Sequence, residues 1–116
     1  MGREDCVFCQ IIDKKMSSEM IYEDEDLVAF HDINPQAPSH ILIVPKKHIP
    51  RLSLMEDEDA PLLGKMITVA KNIIKENHFA DNGFRIAIND GRDGGQTIFH
   101  LHMHLLSGRR LMWPPG

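Results

Sequence analysis

The sequence predicts an α+β domain built from a mostly antiparallel sheet and one long helix. Three observations carry this expectation. Short segments of strand character lie close together around turn-forming residues, as hairpin-joined strands do. One long segment, from Asp59 to about Asn77, carries the 3.6-residue periodicity of a helix instead. Near the end of the chain, Phe99 to Leu106 places His100, His102 and His104 at every second position, the side-chain period of a strand.

Taken in order, Cys6-Val7-Phe8-Cys9-Gln10-Ile11-Ile12 clusters apolar residues and predicts a short N-terminal helix. Met20-Ile21-Tyr22 and Leu27 to Asp32 flank the acidic run Glu23-Asp24-Glu25-Asp26. That pattern is a hairpin with a solvated tip. Asn34 to Pro38 contains two prolines, which cannot donate to a ladder, and is a loop. Ile41-Leu42-Ile43-Val44 is a continuous apolar run suited to a central strand, ended by Pro45 and followed by Lys46-Lys47-His48. Ser53 and Glu56 have the spacing of a capping box for a short helical turn. The main helix starts near Asp59, with Pro61 tolerated in its first turn. Leu63, Met66, Ile67, Ala70, Ile73 and Ile74 form its buried stripe. Asn77 to Gly83 favours a left-handed exit, with His78 at the surface. Phe84 to Asn89 alternates as a strand, and an irregular tail begins at Ser107.

The chain of 116 residues is 42% hydrophobic and 26% charged, ordinary values for one soluble globular domain spanning 1–116. A formal net charge of −4 argues against a nucleic-acid partner, which needs a basic face. A small anion would have to be held by local donors. No apolar run reaches the ~18 residues that span a bilayer, so no membrane partner is expected. Met1-Gly2-Arg3-Glu4-Asp5 lacks a signal-peptide core, and Cys6 stands where a myristoylation motif needs Ser or Thr. The expected location is cytoplasmic, where Cys6 and Cys9 are a metal pair or free thiols before they are a disulfide.

The chemistry concentrates near the end of the chain. As a strand, Phe99-His100-Leu101-His102-Met103-His104-Leu105-Leu106 turns three imidazoles to one face and Leu101, Met103 and Leu105 into a core. Asn89 to Thr97 is a glycine-rich loop feeding that strand. Glycines allow close backbone approach, and their amides beside neutral imidazoles suit an oxyanion, above all a phosphate.

The His-φ-His-φ-His-φ-φ pattern after Gly94-Gly95-Gln96-Thr97 resembles the histidine triad (HIT) family of nucleotide hydrolases and transferases. The ending Trp113-Pro114-Pro115-Gly116 is similar to that of its Hint branch, the purine nucleoside phosphoramidases. The resemblance implies a HIT-like fold with a five-stranded sheet and a homodimer formed through the long helix and a neighbouring strand. It implies His102 as nucleophile, with its other nitrogen held by a backbone carbonyl in the tail or a crossing loop. It gives His104 and the amides of Gly95, Gln96 and Thr97 the role of phosphate donors. Thr97 and His40 would complete a proton relay, Asn89 would contact phosphate, and Asp32 would accept the ribose hydroxyls. Phe8, Phe30, His31 and Ile33 would line the purine pocket. Trp113, in the tail 107–116, would shape a leaving-group pocket, in the partner subunit if the tail crosses over. The implied substrates are purine nucleoside 5′-phosphoramidates and aminoacyl-adenylate-like anhydrides, with the nucleoside monophosphate as product and no organic cofactor.

Cys6-x-x-Cys9 alone is half of a zinc site by spacing. One subset of the HIT family completes such a pair with two histidines, which match His48 and His100 here. A structural zinc is therefore implied. The other reading has Cys6 and Cys9 as packed thiols and His100 as a buttress for His102.

Three further functions fit parts of the pattern. The diadenosine polyphosphate hydrolases share the triad but lack the Trp-Pro-Pro-Gly ending, and the family's transferases carry Gln where His104 stands. Three histidines could also ligate one catalytic metal, which would leave Asp32 and the glycine loop without a role. A nucleotide-binding regulatory or interaction protein is the remaining class.

Overall fold

The structure is a computed structural model that describes residues 5–116. The readings of Met1-Gly2-Arg3-Glu4 as neither signal peptide nor lipidation site fall outside the described residues. The helix α1 spans Val7–Ile12 and starts at Cys6, whose Sγ accepts the Cys9 amide at 3.4 Å. The strands are β1 Met20–Glu23, β2 Leu27–His31, β3 Ser39–Pro45, β4 Phe84–Ala87 and β5 Met103–Ser107, and the long helix α2 is Ala60–Glu76. They form one five-stranded sheet in the order β1-β2-β3-β5-β4, with every neighbouring pair antiparallel. This is the five-stranded α+β architecture expected above. Among the described residues no helix is long and apolar enough to cross a membrane.

The period of two divides the sheet into two chemically different faces. Leu27, Ala29, Ile41, Ile43, Met103 and Leu105 point to one side, where Met66, Val69, Ala70, Ile73 and Ile74 of α2 cover them. Val28, Phe30, Leu42 and Val44 point to the other, against Cys6, Phe8, Cys9 and Ile11. The central strands are apolar on both faces because both are covered. Each buried Leu, Ile or Met contributes roughly 1.5–3 kcal/mol by leaving water. Register does the rest: Ile41 opposes Leu105 and Leu42 opposes His104, so His40, Leu42 and His104 share the face away from α2.

The hairpin tip is more than a solvated turn. Asp24 Oδ1 accepts the amides of Asp26 and Leu27 at 2.7 and 2.8 Å. Lys65 Nζ of α2 reaches Asp26 Oδ2 at 2.7 Å and Asp24 Oδ2 at 3.2 Å, tying the tip to the helix.

Several sequence expectations are corrected. Ile67 is 49% exposed, and Val69 takes its place in the buried stripe, because the helix inclines its contact line toward positions 66, 69–70 and 73–74. The capping box is made by Glu56 and Asp59, not Ser53 and Glu56. Ser53 instead accepts from Arg51 and donates its amide to Asp90 at 2.7 Å. The left-handed residue that ends α2 is His78 at φ 59°, exposed as expected. β4 stops at Ala87, short of Asn89, and Ser107 belongs to β5, where its hydroxyl donates to the Gly83 carbonyl at 3.0 Å. The triad is not one strand: β5 begins at Met103, and His100 to His102 form irregular chain before it.

Candidate active site and metal centre

On the face away from α2 lies a cleft of about 390 Å³. Phe8 and Phe30 form its floor, 5.7 Å apart in an edge-to-face pair, both 3% exposed. They are core and lining at once. His31, Asp32, Ile33, His40, Thr97, His102 and His104 complete the lining named from the sequence, with Gln36 and Leu42 beside them. The structure therefore brings these residues, though not every one expected at the site, to one cavity.

Hydrogen bonds fix the protonation of each ring. His102 Nδ1 lies 2.7 Å from the His100 carbonyl oxygen. A carbonyl only accepts, so Nδ1 carries the proton and Nε2 keeps its lone pair. The Gln36 amide donates to His40 Nδ1 at 3.0 Å, which places the His40 proton on Nε2. That proton goes to His104 Nδ1 at 2.9 Å, with Asp32 Oδ2 3.4 Å away. His104 then carries its own proton on Nε2. One ring thus offers a lone pair and its neighbour, 4.9 Å away between centroids, offers an N–H.

These rings stay neutral near neutral pH. Burial, the largest cause, holds His102 below its ordinary value, against the upward pull of the His100 carbonyl and Asp32. Burial also lowers His40 against the opposing charge of Asp32. His104 is pushed down to about 4, by burial first and then by His102 and His40. A neutral imidazole is the nucleophilic form.

The carbonyl that holds His102 is His100's own, two residues upstream, and not one from the tail or a crossing loop. The irregular backbone before β5 is what turns it toward the ring. His100 itself does not join the cleft face. Its Nε2 donates to the Pro45 carbonyl at 2.7 Å, and its Nδ1 lies 3.3 and 3.5 Å from Cys6 and Cys9 Sγ. The three triad rings therefore do not converge on one metal ion.

The glycine loop is also built differently from the expectation. The amides of Gly95 and Gln96 donate to the Arg92 and Gly91 carbonyls at 3.1 and 2.9 Å. They close the turn and are not directed at a ligand. Gln96 is a buried brace: its side chain accepts the Gly91 amide and donates to the carbonyls of Pro50 and Ile98 at 2.9–3.1 Å. Thr97, exposed at the cleft edge, is the member of this group that lines the cavity. Asn89, half-buried, is not part of that lining. Trp113 is 79% exposed and does not line this chain's own cleft. His31 faces Glu19 at 3.4 Å, and Ile33 is 95% exposed at the rim. The Gln36 amide and the Pro45 carbonyl carry no signal in the sequence, since backbone groups are common to every residue type.

Behind His102 is the second cluster. One ligand atom from each of Cys6, Cys9, His48 and His100 lies within 4.8 Å of all the others. Cys9 Sγ is 3.2 Å from His48 Nδ1, and the two Nδ1 atoms are 3.1 Å apart. A tetrahedral Zn²⁺ with Zn–N near 2.05 Å and Zn–S near 2.3 Å needs donor separations of about 3.3–3.8 Å. The four separations from Cys6 to His100, Cys9 to His48, Cys9 to His100 and His48 to His100, 3.1–3.5 Å, lie within a few tenths of an ångström of that range. The Pro45 carbonyl fixes the proton of His100 on Nε2 and leaves Nδ1 as a ligand, the usual orientation device for metal-binding histidine. A Cys₂His₂ set with no open position makes a structural site. These residues would hold zinc and tie the start of α1 to the strand exit at Pro45 and to the triad segment.

Fold and cleft define an α+β protein that presents a neutral imidazole lone pair beside an imidazole donor. The HIT domain model matches residues 13–111, and the chain belongs to that family. It is 46% identical over 112 residues to a 14 kDa zinc-binding protein of Zea mays, covering 95% of this chain and 87% of that one. A HIT family hydrolase from Legionella pneumophila has the same fold at a TM-score of 0.93 and 40% identity, covering 96% of this chain and 99% of that one. A histidine triad nucleotide-binding protein from Candida albicans matches at a TM-score of 0.80 and 30% identity, over 94% and 82% of the two chains.

Proposed function

We propose that the protein hydrolyses purine nucleoside 5′-phosphoramidates through a nucleotidyl-histidine intermediate on His102. The observation that carries this reading is the 2.7 Å bond from His102 Nδ1 to the His100 carbonyl, which leaves Nε2 free to attack. The nucleoside enters the apolar floor of Phe8 and Phe30, with Ile33 over the base and the ribose hydroxyls on Asp32. Such a slot selects a flat ring and sets only a loose preference between adenine and guanine. Nε2 attacks the α-phosphorus, and an N–P bond forms as the P–N bond to the amine breaks. The amine leaves with a proton passed through the Thr97 hydroxyl from the His104–His40 pair. Water then attacks phosphorus, a P–O bond forming as the P–N bond to His102 breaks, and its proton returns through Thr97 to the His104–His40 pair, giving the monophosphate and free His102. Before the transfer to the amine, the N–H of His104 points to the phosphoryl oxygens and stabilises their charge, worth ~2.7–4 kcal/mol for a preorganised donor.

The relatives named above, a hydrolase and a nucleotide-binding protein, support a nucleotide hydrolase. The P–N bond rests on the Trp113-Pro114-Pro115-Gly116 ending. The same ending, with the exposed Ile67 on α2 and the position of β4 at the edge of the sheet, supports a homodimer. The test compares adenosine 5′-phosphoramidate with a dinucleoside polyphosphate for wild type and His102→Ala. Turnover of the phosphoramidate that vanishes in the variant, with AMP binding retained, is the expected result. Preference for the polyphosphate would move the protein to the other hydrolase branch, and turnover by His102→Ala would refute the mechanism.

A further inference from the structure

The relay is held from outside the cleft. Immediately after β5, Gly108 has φ 101°, and a Cβ on it would meet Pro38 Cβ at 2.7 Å. This bare backbone lies flat on the Asn34–Pro38 loop. The next residue, Arg109, is exposed and sends Nε to the Gln36 carbonyl at 3.0 Å, while Nη1 bonds the Arg110 carbonyl at 3.0 Å. Gln36 is the residue whose amide donates to His40 Nδ1. Two bonds therefore separate an exposed guanidinium from the ring that hands a proton to His104.

We propose that Arg109 is a positioning residue for the proton relay. By anchoring Gln36 through its carbonyl, it keeps the Gln36 amide on His40 Nδ1 and so keeps the His40 proton on Nε2, facing His104. The loop needs such an anchor. Its two prolines have no amide to donate; the Asp32 amide on the His40 carbonyl closes its ends at 2.9 Å, and the Asp32 and Asn34 contacts lie within the loop itself, so none of these holds the Gln36 carbonyl. Without the Gln36 amide, His40 can carry its proton on Nδ1 and present a lone pair to the lone pair of His104. That tautomer delivers no proton, whatever the cleft binds. Gly108 is the second half of the device, because a side chain there would lift the strap off Pro38.

The proposal rests on reading His40 and His104 as the relay of the hydrolase described above, and its test separates the two. The His40 ring nitrogens are assigned by nitrogen-15 NMR, and kcat and KM for adenosine 5′-phosphoramidate are measured, in wild type, Arg109→Ala, Arg109→Lys and Gly108→Ala. Wild type should show His40 protonated on Nε2 alone. Arg109→Ala should show mixed tautomers and about tenfold lower kcat with KM changed less than about twofold. Arg109→Lys, which can still donate to the Gln36 carbonyl, should recover more than about half of both effects, and Gly108→Ala should resemble Arg109→Ala. An unchanged His40 spectrum in Arg109→Ala overturns the proposal, as does a Lys variant no better than Ala. Wild type without turnover would strike the functional reading alone, and the His40 spectra would still decide this one.

Discussion

His100 and His102 divide their work between side chain and backbone. The His100 carbonyl takes the proton of His102 Nδ1 at 2.7 Å, while the His100 ring points the opposite way, its Nδ1 3.3 Å from Cys6 Sγ. One residue therefore belongs to both centres. Whatever fixes the His100 ring also fixes the carbonyl that sets the nucleophile's tautomer.

Metal content follows directly. Protein purified without added metal should contain about one zinc per chain, and Cys9→Ser should lose it. Removal by a strong chelator should destabilise the fold by at least about 2 kcal/mol, seen as a fall in Tm of roughly 8 °C. Because His100 bridges the centres, kcat should fall as well. Elemental analysis giving less than about a tenth of an equivalent would defeat the zinc assignment.

Acid should weaken the fold before it protonates the carboxylates. His104 has a value of about 4 in the folded chain against 6.5 unperturbed. Between those values the unfolded chain binds more protons, so stability is full above about pH 6.5 and declines as pH falls toward about 4. His40 and His102 are lowered too and act in the same direction. Urea midpoints should drop steadily across that window, and a midpoint flat down to about pH 4.5 would contradict the burial of these rings as neutral species.

Gln96 should matter for shape. It is 6% exposed and makes three hydrogen bonds. Gln96→Ala leaves the Gly91 amide and two carbonyls without these partners and should cost about 1–3 kcal/mol, measured by urea unfolding. A larger loss in kcat than in AMP affinity is expected, since the loop carries Thr97.

The outer face of α2 should mediate self-association. Ile67, 49% exposed, would be covered in a homodimer built on α2 and the β4 edge. Sedimentation equilibrium should give a dimer for wild type and a monomer for Ile67→Glu. A wild-type monomer at about 100 μM would remove the dimer.

The sequence made the fold legible wherever side-chain period reports burial. Ile41 to Val44 and Leu101-Met103-Leu105 read correctly because water exclusion acts on residue type. The same rule placed Phe8, Phe30, Asp32, His40, Thr97, His102 and His104 near one site only once the family pattern supplied the pairing, since no local signal brings residue 8 to residue 102. What could not be read was backbone work. The His100 and Pro45 carbonyls and the Gln36 amide act irrespective of the side chains attached to them. The phosphate role expected of Gly95 and Gln96 is not visible in their amide bonds, which close the turn, because a glycine-rich loop shows that amides are accessible, not where their hydrogen bonds go. Period two also concealed the break before β5 that sends His100 to the cysteines and His102 to the cleft.

The central claim is that His102 Nε2 is the atom that meets phosphorus. A crystal structure of the protein soaked with AMP tests it most directly. The expected result is a phosphorus about 3–3.5 Å from His102 Nε2, with His104 on a phosphoryl oxygen and Asp32 on the ribose. A phosphate lodged against any other group, or His102 with Nε2 turned from the cleft, would contradict it.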